Sequence, residues 1–277
     1  MTARSLAFSV FRHAVLLAGA AIMLGPFVWM LSTSLKPPNE IFGDTLTLLP
    51  QVWAADRNYG AAFSQVPLAR YLLNGVIVCG LIFSSQVLIA LPCAYALAKL
   101  RFRGRQLLFA LVIVGLMIPG QAPVIPLYLL MWQAGLLDTY AALVIPHVCS
   151  VFGIFLMRQF FRTVPDELID AARLDGLGEF AIVWRIMAPT AVPALLSFGI
   201  FSLVWNWNDY LWPLIVIRTR DLATPPLGVV FFRSEEAGSD WGPLMAGTVV
   251  ITAPLVVAFL LAQRRFIEGI TLTGVKG

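Results

Sequence analysis

Long apolar runs separated by short polar stretches organise this chain. Six of them, about 14–34, 71–97, 107–130, 140–157, 190–217 and 243–262, come close to the roughly 20 apolar residues a helix needs to cross a bilayer. Within each run the apolar residues are continuous rather than alternating, which selects helices over the strands of a membrane barrel. The expected fold is all-α: a polytopic membrane protein with six transmembrane helices, residues 1–277 making a single transmembrane domain. No short-period repeat is visible, and no soluble domain fits between the runs.

One stretch departs from the pattern. Between the fourth and fifth runs, residues 158–189 read RQFFRTVPDELIDAARLDGLGEFAIVWRIMAP, with charges of both signs crowded together. Pro165 suits the first turn of a helix, and Asp166 and Glu167 follow where the positive end of the helix dipole favours carboxylates. Leu168, Ala171, Ala172 and Asp175 share a face at helical spacing, and Gly176 is a stop signal. A second short helix is expected to carry Phe180, Val183, Trp184 and Met187 on one face and to end at Pro189. The pair forms a helix-Gly-helix knob, flat at Ala171 and Ala172 where another backbone can approach. The residue pattern leaves three readings open: a docking knob, amphipathic helices lying in the headgroup layer, or a loop that folds back.

Composition settles the class. The chain is 59% hydrophobic and 12% charged, with a mean hydropathy of +0.84. Soluble domains carry about twice that charged share, so most of this surface faces lipid. The net charge of +4 follows topology and implies no nucleic-acid partner. Basic residues gather at Arg4, Arg12, the loop KLRFRGR (Lys99–Arg105), Arg158, Arg162, Arg173, Arg185, Arg264, Arg265 and Lys276; the opposite side keeps Lys36, Arg57, Arg70, Arg218, Arg220 and Arg233. The positive-inside rule then puts both termini and residues 158–189 in the cytoplasm. The run beginning at Ala14 is longer than a signal-peptide core, so it is expected to be the first membrane helix.

Little in the chain suggests chemistry of its own. Cys79, Cys93 and Cys149 lie in apolar runs without metal-ligand spacing, and His13 and His147 stand apart as interface and packing residues. No phosphate-cradling GxxxxGK[ST] occurs. Neither catalysis nor a resident metal or cofactor is expected.

The stretch DAARLDGLGEFAIVWRIMAP resembles the EAA loop of permease subunits in binding-protein-dependent ABC importers. That pattern is Glu-Ala-Ala, three residues, Gly, nine residues, then Ile-x-x-Pro. Asp170, Ala171, Ala172, Gly176, Ile186 and Pro189 occupy those positions, with Asp175 before the glycine. Asp170 departs from the family's glutamate by one methylene, which weakens inference about a specific ion pair there. NGVIVCG, AYALAKLRFRGR, GLLDTYAALVIPH, WNWNDYLWPL and RRFIEGITLTGVKG extend the resemblance along nearly the whole chain, to the maltose-type carbohydrate-uptake branch. The resemblance implies one of two different permeases working with two copies of a cytoplasmic ATPase subunit, which binds ATP and magnesium. It also implies an extracytoplasmic solute-binding protein and residence in a prokaryotic inner membrane. The loop would seat in a groove of the ATPase and transmit its motion, driving alternating access. The tail Gly274–Gly277 would reach between the ATPases, or fray as chain ends do.

The candidate solute path rests on two places. In the fifth run Trp205, Asp209 and Trp212 fall on one helical stripe flanked by Asn206 and Asn208. Aromatic faces with amide and carboxylate acceptors suit a polyhydroxylated solute; the same residues also fit an interfacial aromatic belt with a solvated or packing carboxylate. In the third run Pro119, Gly120, Pro123 and Pro126 surround Gln121, breaking the helix either to line a cavity or to pack. The polar loop Arg233–Pro243 can meet a binding protein or simply be wet. A sugar or oligosaccharide is the expected solute. Glycerol 3-phosphate or a glycerophosphodiester is the alternative and would want cations, which no run supplies. A stand-alone secondary transporter would have only Asp209 for ion coupling.

Overall fold

The computed structural model describes residues 3–43, 47–234 and 238–274. It opens with α1 (Ala3–Ser34), the single turn α2 (Pro38–Ile41), α3 (Ala55–Gln65) and α4 (Leu68–Lys99). Then come α5 (Arg105–Met117), α6 (Val124–Gln133), α7 (Tyr140–Val144) and α8 (Val151–Phe161). The loop holds α9 (Asp166–Leu174), α10 (Glu179–Ile182) and α11 (Ala188–Thr190). After it follow α12 (Val192–Trp207), α13 (Leu211–Val216), α14 (Pro225–Val230) and α15 (Trp241–Gly274). Among the described residues the only strands are a two-residue antiparallel ladder, Arg233–Ser234 with Gly238–Ser239. Residues 235–237 of the polar loop and 275–277 of the tail lie outside the described residues.

Among the described residues three helical stretches are long and apolar enough to cross a membrane unbroken: Phe8–Ser34, Leu68–Lys99 and Trp241–Leu261. The other three expected crossings are interrupted, and each interruption has a local cause. The third run splits into α5 and α6 because Pro119 and Pro123 remove backbone donors across 118–123. Pro126 survives inside α6 because it falls in the first turn, where its N–H would lack a partner anyway. The fourth run bends by 43° between Tyr140–His147 and Val151–Phe161, where Ser150 caps the new helix by accepting from the Gly153 N–H at 3.0 Å. The fifth run breaks at 208–210, between α12 and α13.

The chain divides into two compact units, Met1–Ala69 with Gly228–Ala253, and Arg70–Leu227 with Pro254–Gly277. In the first, Asn58 Nδ2 donates to the carbonyls of Ser34 (2.9 Å) and Lys36 (2.8 Å), satisfying groups that the end of α1 leaves open. Lys36 is buried there; its Nζ donates to the Thr47 carbonyl and sits 5.0 Å from the Trp29 ring centre.

The second unit holds the core that matters for the loop. Leu91, Ala94 and Tyr95 of α4 pack with Met157 and Phe161 of α8, Ile169 and Ala172 of α9, Ile182 of α10 and Phe198 of α12. Helices α8 and α12 meet where Gly153 leaves room: a Cβ there would stand 2.5 Å from the Phe198 ring. Small residues at such crossings let helices in lipid approach closely. Gly153→Val is expected to lower the thermal unfolding midpoint in detergent, the overpacking costing about 1–3 kcal/mol. An unchanged midpoint would show that Phe198 has somewhere else to go.

Candidate functional site

The loop between α8 and α12 is built as the sequence suggests at its hinge and differently on its faces. Helix α9 ends in a Schellman turn: Gly176 takes φ +81, its N–H donates to the Arg173 carbonyl at 3.0 Å, and the Leu177 N–H donates to that of Ala172 at 3.0 Å. Leu177, the residue after the glycine, packs on the core cluster. L side chains rarely adopt this left-handed backbone conformation, and glycine, lacking a Cβ, reaches it freely.

Ala172 does not share an outer face with Ala171. It is 4% exposed and packs with Ile169 into the core of α4 and α8, whereas Asp170, Ala171 and Asp175 are exposed and Leu174 is 90% exposed. Nor does Pro189 end the second helix. Residues Val183–Met187 form a π turn, with the Ala188 N–H donating to the Val183 carbonyl. That wider turn accommodates a proline whose ring would strike the Arg185 carbonyl in α geometry. The helix runs on to Thr190, and the chain turns through 83° at Ala191. The π turn also resets the angular step, so the expected face divides. Val183 and Met187 are buried with Ile182, Ile186 is half-buried, and Phe180 is exposed, edge-on to Trp184 at 6.2 Å.

Polar contacts fasten the loop to the end of α4. The Tyr95 hydroxyl donates to Glu179 Oε2 (2.5 Å), and Arg173 donates from Nε to Glu179 Oε1 (2.9 Å) and from Nη1 to Asp170 Oδ1 (3.1 Å). Arg173 therefore bridges the two loop helices across Gly176. The Arg173 hydrogen bond, then that of Tyr95, holds the Glu179 carboxyl below its ordinary range. Lys99 Nζ donates both to the Val164 carbonyl and to Asp166 Oδ1, and that bond holds the Asp166 carboxyl down as well.

The candidate path residues come together only in part. Because the fifth run breaks, Trp205, Asp209 and Trp212 do not share a stripe: Trp205 is 67% exposed and Trp212 4%. Trp212 instead donates its indole N–H to the Ala142 carbonyl at 2.9 Å. Asp209 works as a helix cap, Oδ1 accepting from the Trp212 N–H at 3.2 Å at the start of α13. Its Oδ2 lies 3.9 Å from His147 Nε2. Asn206 is buried and donates to the Ser202 carbonyl (2.7 Å), while Asn208 is exposed and donates to that of Val204 (2.8 Å). Gln121 is exposed in the break between α5 and α6, and a Cβ on its neighbour Gly120 would meet the Trp205 ring at 3.4 Å. Trp205 thus packs beside Gly120, the neighbour of Gln121, while Asp209 and Trp212 both approach His147, the Trp212 ring edge-on at 6.3 Å.

The family model for the binding-protein-dependent transport system inner membrane component matches residues 86–271, from mid-α4 to near the end of α15. The chain belongs to this family. Among its relatives, the arabinooligosaccharides transport system permease protein AraQ of Bacillus subtilis (strain 168) is 34% identical, over 98% of this chain and 98% of its own length. AraQ of Halalkalibacterium halodurans is also 34% identical, over 93% of each. The sn-glycerol-3-phosphate transport system permease protein UgpE of Escherichia coli O1:K1 is 30% identical over 95% of each. In fold, the chain matches a chain from the crystal structure of a bacterial ABC transporter involved in the import of the acidic polysaccharide alginate, with a TM-score of 0.84 at 24% identity, covering 96% of this chain and 99% of that one.

Several residues of this family member escape sequence reading. Tyr95 and Lys99 lie far from the loop in the chain, and nothing local pairs them with Glu179 and Asp166. A buried chain of hydrogen bonds also goes unannounced: Asn206 Nδ2 to Ser202 Oγ (3.2 Å), Ser202 Oγ to Gln86 Oε1 (2.7 Å), and Gln86 Nε2 to the His147 carbonyl (2.9 Å). The cap at Asp209 did leave a signal, an acidic residue three positions before Trp212 and a second apolar turn. Ala172→Leu is expected to lower the unfolding midpoint by overfilling the core, while Ala171→Leu should shift stability by no more than about 0.5 kcal/mol. Equal effects of the two substitutions in a thermal melt would contradict this division of faces.

Proposed function

We propose that this chain is one of two permeases that together form the path of an ATP-driven importer for a sugar or oligosaccharide. Its partners are a second, different permease, two copies of a cytoplasmic ATPase subunit holding ATP and magnesium, and an extracytoplasmic binding protein. Both termini and the loop face the cytoplasm, where the basic residues gather. The observation that carries this reading is the two-sidedness of the loop. Its inner face, Ile169, Ala172, Ile182 and Met187, belongs to the helix core, while Leu168, Ala171, Leu174 and Phe180 stand exposed together with Asp170 and Asp175. An apolar and acidic outer face on a rigid inner one suits a subunit groove, with Asp170, Ala171, Asp175 and Gly176 at the contact and Ala172, Ile186 and Pro189 behind it.

The breaks between α5 and α6 and between α12 and α13 support a path here, since non-helical backbone at membrane depth is tolerated where it lines a cavity or is buried in protein. Gln121, Trp205 and Asn208 are its exposed polar and aromatic groups; Asn206, Asp209 and Trp212 brace the second break. The similarity to AraQ favours an oligosaccharide, and the candidate path residues include no Lys or Arg for a phosphate. The similarity to UgpE keeps sn-glycerol 3-phosphate, or a related phosphodiester, as the competing solute.

Vesicles holding the chain with its partner permease and ATPase, supplied with the binding protein, test both parts. ATP-driven uptake of a labelled neutral oligosaccharide should exceed that of sn-glycerol 3-phosphate, and Leu174→Asp should abolish it without lowering the unfolding midpoint. Uptake of the phosphate ester alone would replace the solute, and full uptake by Leu174→Asp would remove the docking role.

A further inference from the structure

Where α5 begins, the chain forms a cleft of about 690 Å³ lined by Arg101, Phe102, Gly104, Arg105, Leu107 and Arg158. Three guanidinium groups meet here, and among the described residues none of the three forms an ion pair with a carboxylate. Arg158 is only 8% exposed. Its Nε donates to the Leu97 carbonyl at 3.1 Å, and its guanidinium carbon lies 3.5 Å from the centre of the Phe109 ring. Its Nη1 is buried without a hydrogen-bond partner. An orphaned buried donor on a cation is costly, and the two fixed contacts hold it in place for an acceptor that the described residues do not supply.

The backbone adds to the same field. Gly104, at φ +87, precedes α5; no side chain caps that helix and its first turn carries no acidic residue. The first intrahelical donor is the Leu108 N–H, to the Gly104 carbonyl at 2.9 Å, so the N–H groups before it lie outside the helix's own bonding. A helix start of this kind favours an anion. Leu107 at the cleft, and Leu108 and Leu111 further along α5, are exposed. A basic pocket at the head of an exposed apolar strip has the layout of a phospholipid: phosphate at one end, acyl chain along the other.

We propose that this cleft binds the phosphate of an anionic phospholipid, with Arg158, Arg105 and Arg101 as its cationic partners and the α5 leucines against the acyl chain. The site requires only residence in the membrane, not any particular solute or the coupling role of the loop. Soluble phosphate shares the headgroup's chemistry, so the test must separate them.

The full chain, purified with its partner subunits, is examined by native mass spectrometry with phosphatidylglycerol or phosphatidylcholine added. Preferential retention of phosphatidylglycerol is expected, and Arg158→Gln should reduce that preference about tenfold, the scale of one lost hydrogen bond to a charged group. Because Arg158 also packs on Phe109, the rim variant Arg101→Gln with Arg105→Gln is read in parallel; it spares that packing and should lose the preference too. Equal retention of both lipids by the unaltered protein, or an undiminished preference in the rim variant, would overturn the proposal. Displacement of the lipid by millimolar inorganic phosphate would reassign the cleft to a soluble anion. Loss of the ATPase subunits from the rim variant with lipid retention intact would make it a protein contact instead, and would likewise overturn the lipid assignment.

Discussion

The burial of the inner face of the loop in the same core as α4, α8 and α12 is the constraint on which the rest depends. Ile169, Ala172, Ile182 and Met187 have no separate core of their own; they complete the one formed by Leu91, Tyr95, Met157 and Phe198. Because packed interiors are dense and deform little, a displacement of the outer face would be passed to the membrane helices rather than absorbed. Arg173 ties the two loop helices together through Glu179, and Tyr95 and Lys99 tie both to α4. Gly176 supplies the sharp turn between them without making it loose, since its own N–H and that of Leu177 close a Schellman turn.

A second constraint acts within the bilayer, where an unpaired backbone group has no water to turn to. At two of the breaks the chain meets it with a nearby side-chain acceptor: Ser150 at the start of α8, Asp209 at the start of α13. The Gln86–Ser202–Asn206 chain does the same for side chains between α4 and α12. These polar groups are therefore first of all structural, whereas Gln121, Trp205 and Asn208 are exposed.

The apolar runs made the helical membrane fold legible, because continuous hydrophobicity over such lengths has few other solutions. The loop was legible too, down to Gly176 as its turn. Its orientation was not. Helical spacing placed Ala171 and Ala172 together, but which of two adjacent alanines faces inward depends on α4 and α8, which the local pattern does not contain. Pro189 looked like a stop because the π turn that admits it is invisible in residue types. The stripe through Trp205, Asp209 and Trp212 presumed an unbroken helix; Asp209 carried the capping spacing that breaks it. The clamp from Tyr95 and Lys99 joins residues too distant in sequence for any window to pair.

Rigid coupling between the loop and α4 is the claim most open to direct measurement. Spin labels at Leu88→Cys on α4 and Glu167→Cys on α9, away from the proposed docking contact, with the native cysteines replaced by alanine, report their separation by pulsed electron resonance in the assembled transporter. One unchanged distance distribution in the nucleotide-free and ATP-bound states is the expected result. A shift of several ångströms between the two would mean that the loop swings on its own and does not carry its motion into the helices.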